Sequence, residues 1–112
     1  MNSEQFVQAI QQHAQDAATD TTMRNLQSPP GRRPAARAVA LSQWYNGLSD
    51  QDKANVRAVV GEATHAAVFG VLAVLDGVRV VDEEKGRFEL FHVGRARTLL
   101  NPGDRDLHDL LD

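Results

Sequence analysis

The stretch LSDQDKANVRAVVGEATHAAVFGVLAVLDGVR, residues 48–79, decides the fold that we expect for this chain. Its apolar residues recur at spacings of three and four, which places them on one face of a helix. Ser49 is a suitable N-cap, and Gly77 suits the left-handed residue that follows a helix C-terminus. We therefore expect one long central helix between these two residues. The residues of its apolar face are Val56, Val59, Val60, Ala63, Ala67, Val71 and Val74.

The second half of this helix is apolar on every side over residues 66–75, so we expect other elements to wrap around it. The covering element could be the chain's own sheet or a second copy of the chain. Ten residues are too few to cross a bilayer, which needs about 20. Gly61 and Gly70 each cost about 1 kcal/mol in a helix, so we expect another backbone to pass close to them.

Composition limits the function classes. A chain of 112 residues is long enough for one domain with a modest core. Its net charge of −3 is not that of a protein dedicated to nucleic acid. The sequence has no cysteine, which excludes thiolate chemistry and disulfides, and its first residues do not resemble a secretory signal. We expect a cytoplasmic protein.

The first 18 residues predict a helix that Ser3 could cap. Its narrow apolar stripe consists of Phe6, Ile10, Ala14 and Ala17, and glutamines cover the outside. A stripe this narrow has to pack against something. It either docks on the domain or serves as a dimerisation arm.

Residues 19–34 are rich in proline and arginine and predict a linker. No acidic residue occurs between Thr21 and Ser49, so this region is locally basic. Three interpretations stay open: pairing with the acidic C-terminal residues of the chain, binding of an acidic protein, or binding of nucleic acid. The arginines are Arg24, Arg32, Arg33 and Arg37.

A second helix is expected over residues 35–46, so that residues 35–77 form a helical pair. Its apolar content comes from Val39, Leu41, Trp44 and Tyr45. The two aromatic residues are either core residues whose polar tips reach the edge or an exposed pair at a binding surface.

Beyond Gly77 the sequence alternates, which predicts a β-hairpin or a three-stranded sheet over residues 78–100. The candidate strands are 78–82, 87–93 and 96–100. A short helix over 104–112, capped by Asp104, would close the chain. At the end of the central helix, Asp76 and Arg79 are placed to form an ion pair across a structural corner that includes Gly77.

The sequence contains no pattern that predicts catalysis, a cofactor or a metal. The four histidines lack metal-binding spacing, no serine lies in GxSxG, and no phosphate-binding glycine motif occurs. His65 lies where the helix turns apolar, and we expect it to be a partly buried side chain rather than a catalytic base. We predict no enzymatic activity.

Three segments resemble a small family of uncharacterised bacterial proteins: PPGRRP (29–34), QWYNGLS (43–49) and AAVFGVLAVLDGVR (66–79), followed by GRFEL. The resemblance covers roughly residues 28–101. It implies that Trp44, Tyr45, Phe69 and the corner from Asp76 to Arg79 belong to a shared framework, and it implies no activity.

We expect an α+β domain in which a long central helix packs on a small antiparallel sheet, closed by a short C-terminal helix. The favoured function is a non-enzymatic protein-interaction module, such as a regulator or an immunity-type protein, which could form a homodimer. The alternatives are a nucleic-acid-associated regulator that uses the basic segment and a small-ligand-binding domain.

Overall fold

Two long antiparallel helices form the body of the molecule in the computed structural model, which describes all 112 residues. The first comprises α1 (Ser3–Ile10), a π-helical segment (Gln11–Asp16) and α2 (Ala17–Gln27), which follow one another without a break. We call residues 3–27 the N-terminal helix. The second is the central helix, α4 (Asp50–Leu75). Along the chain, α3 (Ala36–Asn46) lies between them, and its bounds are close to the predicted range 35–46.

The N-terminal helix is longer than predicted, because the expected linker at 19–34 is helical up to Gln27. The first proline is Pro29, and the continued helix buries Met23. The predicted cap is also wrong by one residue. Asn2 caps the helix in a capping box with Gln5, whereas the Ser3 hydroxyl donates to the carbonyl of Leu100 at 2.6 Å.

Both ends of α4 follow the prediction. The hydroxyl of Ser49 accepts from the Asp52 amide at 3.1 Å. Gly77 adopts φ +78°, in the left-handed region. The Gly77 amide donates to Val74 and the Val78 amide donates to Ala73, which is a Schellman motif.

The sheet is smaller than predicted. It has two antiparallel strands, β1 (Phe91–Val93) and β2 (Arg97–Leu99), of which β2 matches the expected third strand. No strand forms over 78–82, because the amides of Val78 and Arg79 both donate to the Ala73 carbonyl at the helix end. Asn101 ties this region to α4, since its amide nitrogen donates to the Leu75 carbonyl at 3.0 Å.

The C-terminal segment forms a 3-10 helix (Leu107–Leu110) in place of the helix predicted over 104–112. Asp104 is not its N-cap. The carboxylate of Asp76 accepts from the amides of Leu107 and His108 at 2.8 and 2.9 Å, so a distant residue performs the capping. This 3-10 helix and the N-terminal helix pack against α4, whereas the sheet was expected to do so.

The core is small. Only 11 of 112 residues are buried, and the buried hydrophobic cluster consists of Val7, Leu72 and Leu107. Partly buried side chains surround this cluster: Phe6, Val68, Leu75, Leu110 and Leu111. The predicted α+β class is confirmed, with the core between the N-terminal helix, the second half of α4 and the 3-10 helix.

Candidate interaction surface

The chain has a larger solvent-accessible surface than a compact monomer of the same mass. Its radius of gyration is 18.0 Å, whereas a compact chain of this length has about 13 Å. Its accessible surface is 8121 Å², whereas a folded monomer of this mass exposes about 6,100 Å². The excess is about 2,000 Å², and part of it comes from residues 78–89, which are all exposed.

Much of the predicted apolar face of α4 is part of this uncovered surface. Val59 and Val71 are 65% and 61% exposed, and Ala63 and Ala67 are exposed as well. The N-terminal helix and the 3-10 helix instead cover the side of α4 that carries Leu72. The expectation that other elements wrap residues 66–75 is therefore correct on one side of the helix and wrong on the other.

An apolar groove runs between the N-terminal helix and α4, with a volume of about 310 Å³. The stripe predicted on the first helix supplies one wall, and the second half of α4 supplies the other. Every lining residue is hydrophobic, and we call this set the apolar groove: Phe6, Ile10, Ala14, Ala67, Val68, Val71, Leu72 and Leu75.

The helix segments that line the groove carry no acidic residue, lysine or arginine. Residues 6–15 and residues 63–75 contain no Asp, Glu, Lys or Arg. The groove thus offers apolar contact over about two helical turns, or roughly 12 Å, without a charge to select a partner.

The apolar part of α4 is longer than the ten residues considered from sequence. An 18-residue window has a mean hydropathy of 1.8, and 17% of that window is buried. By length and composition alone, α4 could cross a bilayer. This result is weak evidence for a membrane helix, because core helices of soluble proteins meet the same criterion.

The side of α4 that faces the N-terminal helix is polar in its first half. The hydroxyls of Thr19 and Thr64 are 2.7 Å apart, and Arg57 pairs with Asp20 at 2.6 Å. Beside them Gln15, in the π-helical segment, is 8% exposed, and its Oε1 has no hydrogen-bond partner. In this half, the two helices are therefore joined by polar side-chain contacts rather than by apolar packing.

The arginines of the basic segment are exposed and form no ion pair within the chain. Of the acidic residues in the predicted partner, the C-terminal segment, only Asp109 has a charged partner, and that partner is His108. Pairing of the two segments is therefore not observed. The exposed arginines are Arg24, Arg32, Arg33 and Arg37.

Trp44 and Tyr45 do not act as a pair. Tyr45 is 5% exposed and belongs to the core, with the Lys53 ammonium 5.7 Å from its ring centroid. Trp44 is 53% exposed. The core interpretation is correct for Tyr45 and wrong for Trp44, for which a binding surface stays a prediction.

The predicted corner contains a different contact from the one expected. Asp76 forms no ion pair with Arg79, and its 2%-exposed side chain instead contacts His108 Nδ1 at 2.6 Å. The pKa of His108 is raised, first by this hydrogen bond. Arg79 folds back over Gly70, so a side chain, not a backbone, approaches that glycine, and nothing lies close to Gly61.

Sequence reasoning missed His108, because no local signal links it to a residue 32 positions earlier. His65 is partly buried as expected and stacks on Phe69 with centroids 6.2 Å apart. The Phe69 ring also meets the ring of His108 edge-on at 5.2 Å. Ligand atoms of Asp106, His108 and Asp109 lie within 4.8 Å of one another, although Asp76 already holds His108 Nδ1.

The alternative of a small-ligand-binding domain would need a pocket between α4 and the sheet. A cleft near that position lies between the end of α4 and residues 79–88, with a volume of about 370 Å³. It is lined mainly by polar, charged and glycine residues, with Val74, Val80, Val81 and Phe88 as its hydrophobic members.

No protein-family model, curated protein or solved structure matches this chain. The resemblance to a bacterial family stays a prediction.

Proposed function

We propose that this chain is a small, non-enzymatic protein-interaction module and that the apolar groove is its binding surface. The supporting observation is the exposure of an uncharged apolar groove on a chain with about 2,000 Å² of excess surface. Contiguous apolar patches are uncommon on soluble monomers and mark sites where another molecule binds. A module of this kind acts by occlusion, as a regulator or an immunity-type protein does, and we expect it to work in the cytoplasm.

Histidine and carboxylate side chains are the groups that catalysis most often uses. Here the buried pair of His108 and Asp76 has a structural role. Asp76 accepts from two backbone amides as well as from His108, so it fixes the 3-10 helix onto the end of α4. A carboxylate that accepts three hydrogen bonds in this way stabilises the fold.

The groove hypothesis is tested by capture from a nuclease-treated native lysate with the tagged protein. Val71→Asp places a carboxylate in the groove, and Val81→Asp is the matched control because Val81 is 60% exposed outside the groove. We expect a protein that wild type and the Val81 variant retain and the Val71 variant loses. This protein should then bind the purified chain with the same dependence on Val71. Retention that is equal for both variants would contradict the proposal.

A second candidate function is binding of nucleic acid through the basic segment. It is favoured by four exposed arginines that form no ion pair within the chain, in a region where Asp20 and Asp50 are the nearest acidic residues along the sequence. Unpaired arginines can contact phosphates, and such contacts release counterions.

This second candidate predicts that labelled single-stranded and duplex oligonucleotides bind with an affinity that falls steeply as salt is raised. Replacing both Arg32 and Arg33 by Ala should lower the salt slope by about 2, since each phosphate contact contributes roughly one unit. Binding that is unchanged across salt, or unchanged in this double variant, would exclude the basic segment as the interface.

A further inference from the structure

We infer that the partner covering the apolar groove is a second copy of this chain, so that two N-terminal helices and two α4 helices form a four-helix arrangement. The inference depends on the proposed function, because it names the protein that occupies the same groove. Three properties of the described surface support a second copy over a different partner.

The first property is area. The excess surface of about 2,000 Å² belongs to the whole chain, including the exposed residues 78–89, and the part of it on the N-terminal helix and α4 would have to supply the roughly 800 Å² that each partner buries in a standard interface. With a core cluster of three buried residues, the isolated chain resembles half of a larger hydrophobic core. Obligate homodimer interfaces have this character.

The second property is the lack of charge. A two-fold symmetric dimer brings each patch against its own copy, so a charged patch would repel itself. Residues 6–15 and 63–75 carry no Asp, Glu, Lys or Arg, and glutamines occupy much of the outer side of the N-terminal helix. The groove thus meets the electrostatic condition for self-association and lacks charges that would select a different partner.

The third property is geometry. The N-terminal helix and α4 are antiparallel, because Thr19 meets Thr64 whereas Val7 packs with Leu72. Two antiparallel helices with one open apolar groove present a face that a second identical pair covers in a four-helix bundle. Val71, on the rim, would then change from 61% exposed to buried.

A lipid bilayer is the competing occupant, and the contacts of α4 count against it. Arg57 pairs with Asp20, and the hydroxyls of Thr64 and Thr19 are 2.7 Å apart. The polar part of the N-terminal helix therefore lies along one side of α4. Burial of α4 in lipid would require the N-terminal helix to leave it and would expose Thr64 and His65 to hydrocarbon.

The test measures the mass of the purified full chain in solution by sedimentation and light scattering over a wide concentration range. We expect twice the chain mass of 12.3 kDa. Val71→Asp should raise the dissociation constant by at least about 100-fold, because a symmetric interface would bury two unpaired carboxylates. Val81→Asp should leave the mass unchanged. Circular dichroism of each variant verifies that it is folded.

A second measurement locates the interface without a disruptive substitution. Since the chain has no cysteine, a spin label on Val71→Cys reports a single position. In a dimer through the groove, labels at 71 should give a short intermolecular distance that is absent for Val81→Cys. A dimer whose mass and label distances respond equally at both positions would overturn the groove as the interface.

A wild-type chain that is monomeric overturns the inference of a second copy. Two further assays then show whether the proposed function also fails. A monomer that binds a different purified protein through Val71 leaves the proposed function intact. A monomer that instead floats with vesicles of neutral or anionic lipid overturns the proposed function as well.

Discussion

The side chains of Asp76 and His108, 32 residues apart, lie 2.6 Å from each other and join the end of α4 to the 3-10 helix. Both are largely buried, with 2% of the Asp76 side chain and 13% of the His108 side chain exposed. The buried cluster includes Leu107, whose amide donates to the same carboxylate. This one contact therefore positions a segment on which the core depends.

Protonation of His108 should stabilise the fold. The Asp76 hydrogen bond is the largest cause that raises the pKa of His108, the charges of Asp109, Asp76 and Asp106 raise it further, and burial opposes them. Because the folded pKa lies above the unfolded value, this stabilisation is complete below about pH 6.5 and is lost as pH rises through the raised pKa. Urea unfolding on both sides of this window should show the loss for wild type.

His108→Gln should remove this part of the pH dependence, whereas His13→Gln, at an exposed position, should retain it. A wild-type chain whose free energy of unfolding rises with pH across the same window would contradict the assignment.

Removal of the Asp76 carboxylate should be strongly destabilising. Asp76→Ala would leave the amides of Leu107 and His108 without their acceptor, and we expect a loss of at least about 2 kcal/mol in the free energy of unfolding. Asp109→Ala is the control, because its carboxylate is exposed and accepts no backbone bond. Equal losses in chemical denaturation would refute a special role for Asp76.

Gln15 should be replaceable with a gain in stability. Its Oε1 is buried without a partner, and an unsatisfied buried acceptor costs roughly 1–3 kcal/mol. Gln15→Leu removes that acceptor at similar size, so we expect the free energy of unfolding to rise by about 1 kcal/mol. A loss instead would mean that Gln15 makes a hydrogen bond that stabilises the folded chain.

The two glycines inside α4 should respond differently to alanine. Gly61 has open space around it, so Gly61→Ala should stabilise the helix by about 1 kcal/mol. At Gly70 the new methyl group would meet the Arg79 guanidinium, so the gain should be smaller. In an Arg79→Ala background, Gly70→Ala should recover the full gain. Thermal unfolding of the four variants tests this, and identical gains at both sites in the native background would contradict the observed position of Arg79.

The parts of the fold that were predictable depend on local chemistry. Ser49 and Gly77 identify the ends of α4 because caps need particular side chains and backbone angles at particular positions. The range of α3 follows from Pro34 and from Asn46–Gly47 in the same way. The α+β class follows from the change of hydrophobic period after Gly77.

The parts that were not predictable depend on contacts between distant residues. Periodicity identifies an apolar face on α4 but cannot say whether Leu72 or Val71 is covered, because the helix is apolar all around there. The strand at 78–82 was wrong because the Schellman motif uses the amides of Val78 and Arg79. The capping of the 3-10 helix by Asp76 was missed because its partners lie 31 and 32 residues away.

The same limit applies to the candidate site. The arginines, Trp44 and the first helical stripe were recognised as candidates from sequence. The convergence of that stripe with the second half of α4 into one groove was not predicted, because Phe6 and Val71 come together only when the two helices pack.

The packing of Val7 with Leu107 has a consequence for synthesis of the protein. The two residues are separated by nearly the whole chain, and the ribosome adds about 5–20 residues per second. The N-terminal helix is therefore made roughly 5–20 seconds before the last member of its core cluster exists. During that interval Val7 has no completed core to enter, so the nascent chain presents it together with Phe6 and Ile10, which later line the groove.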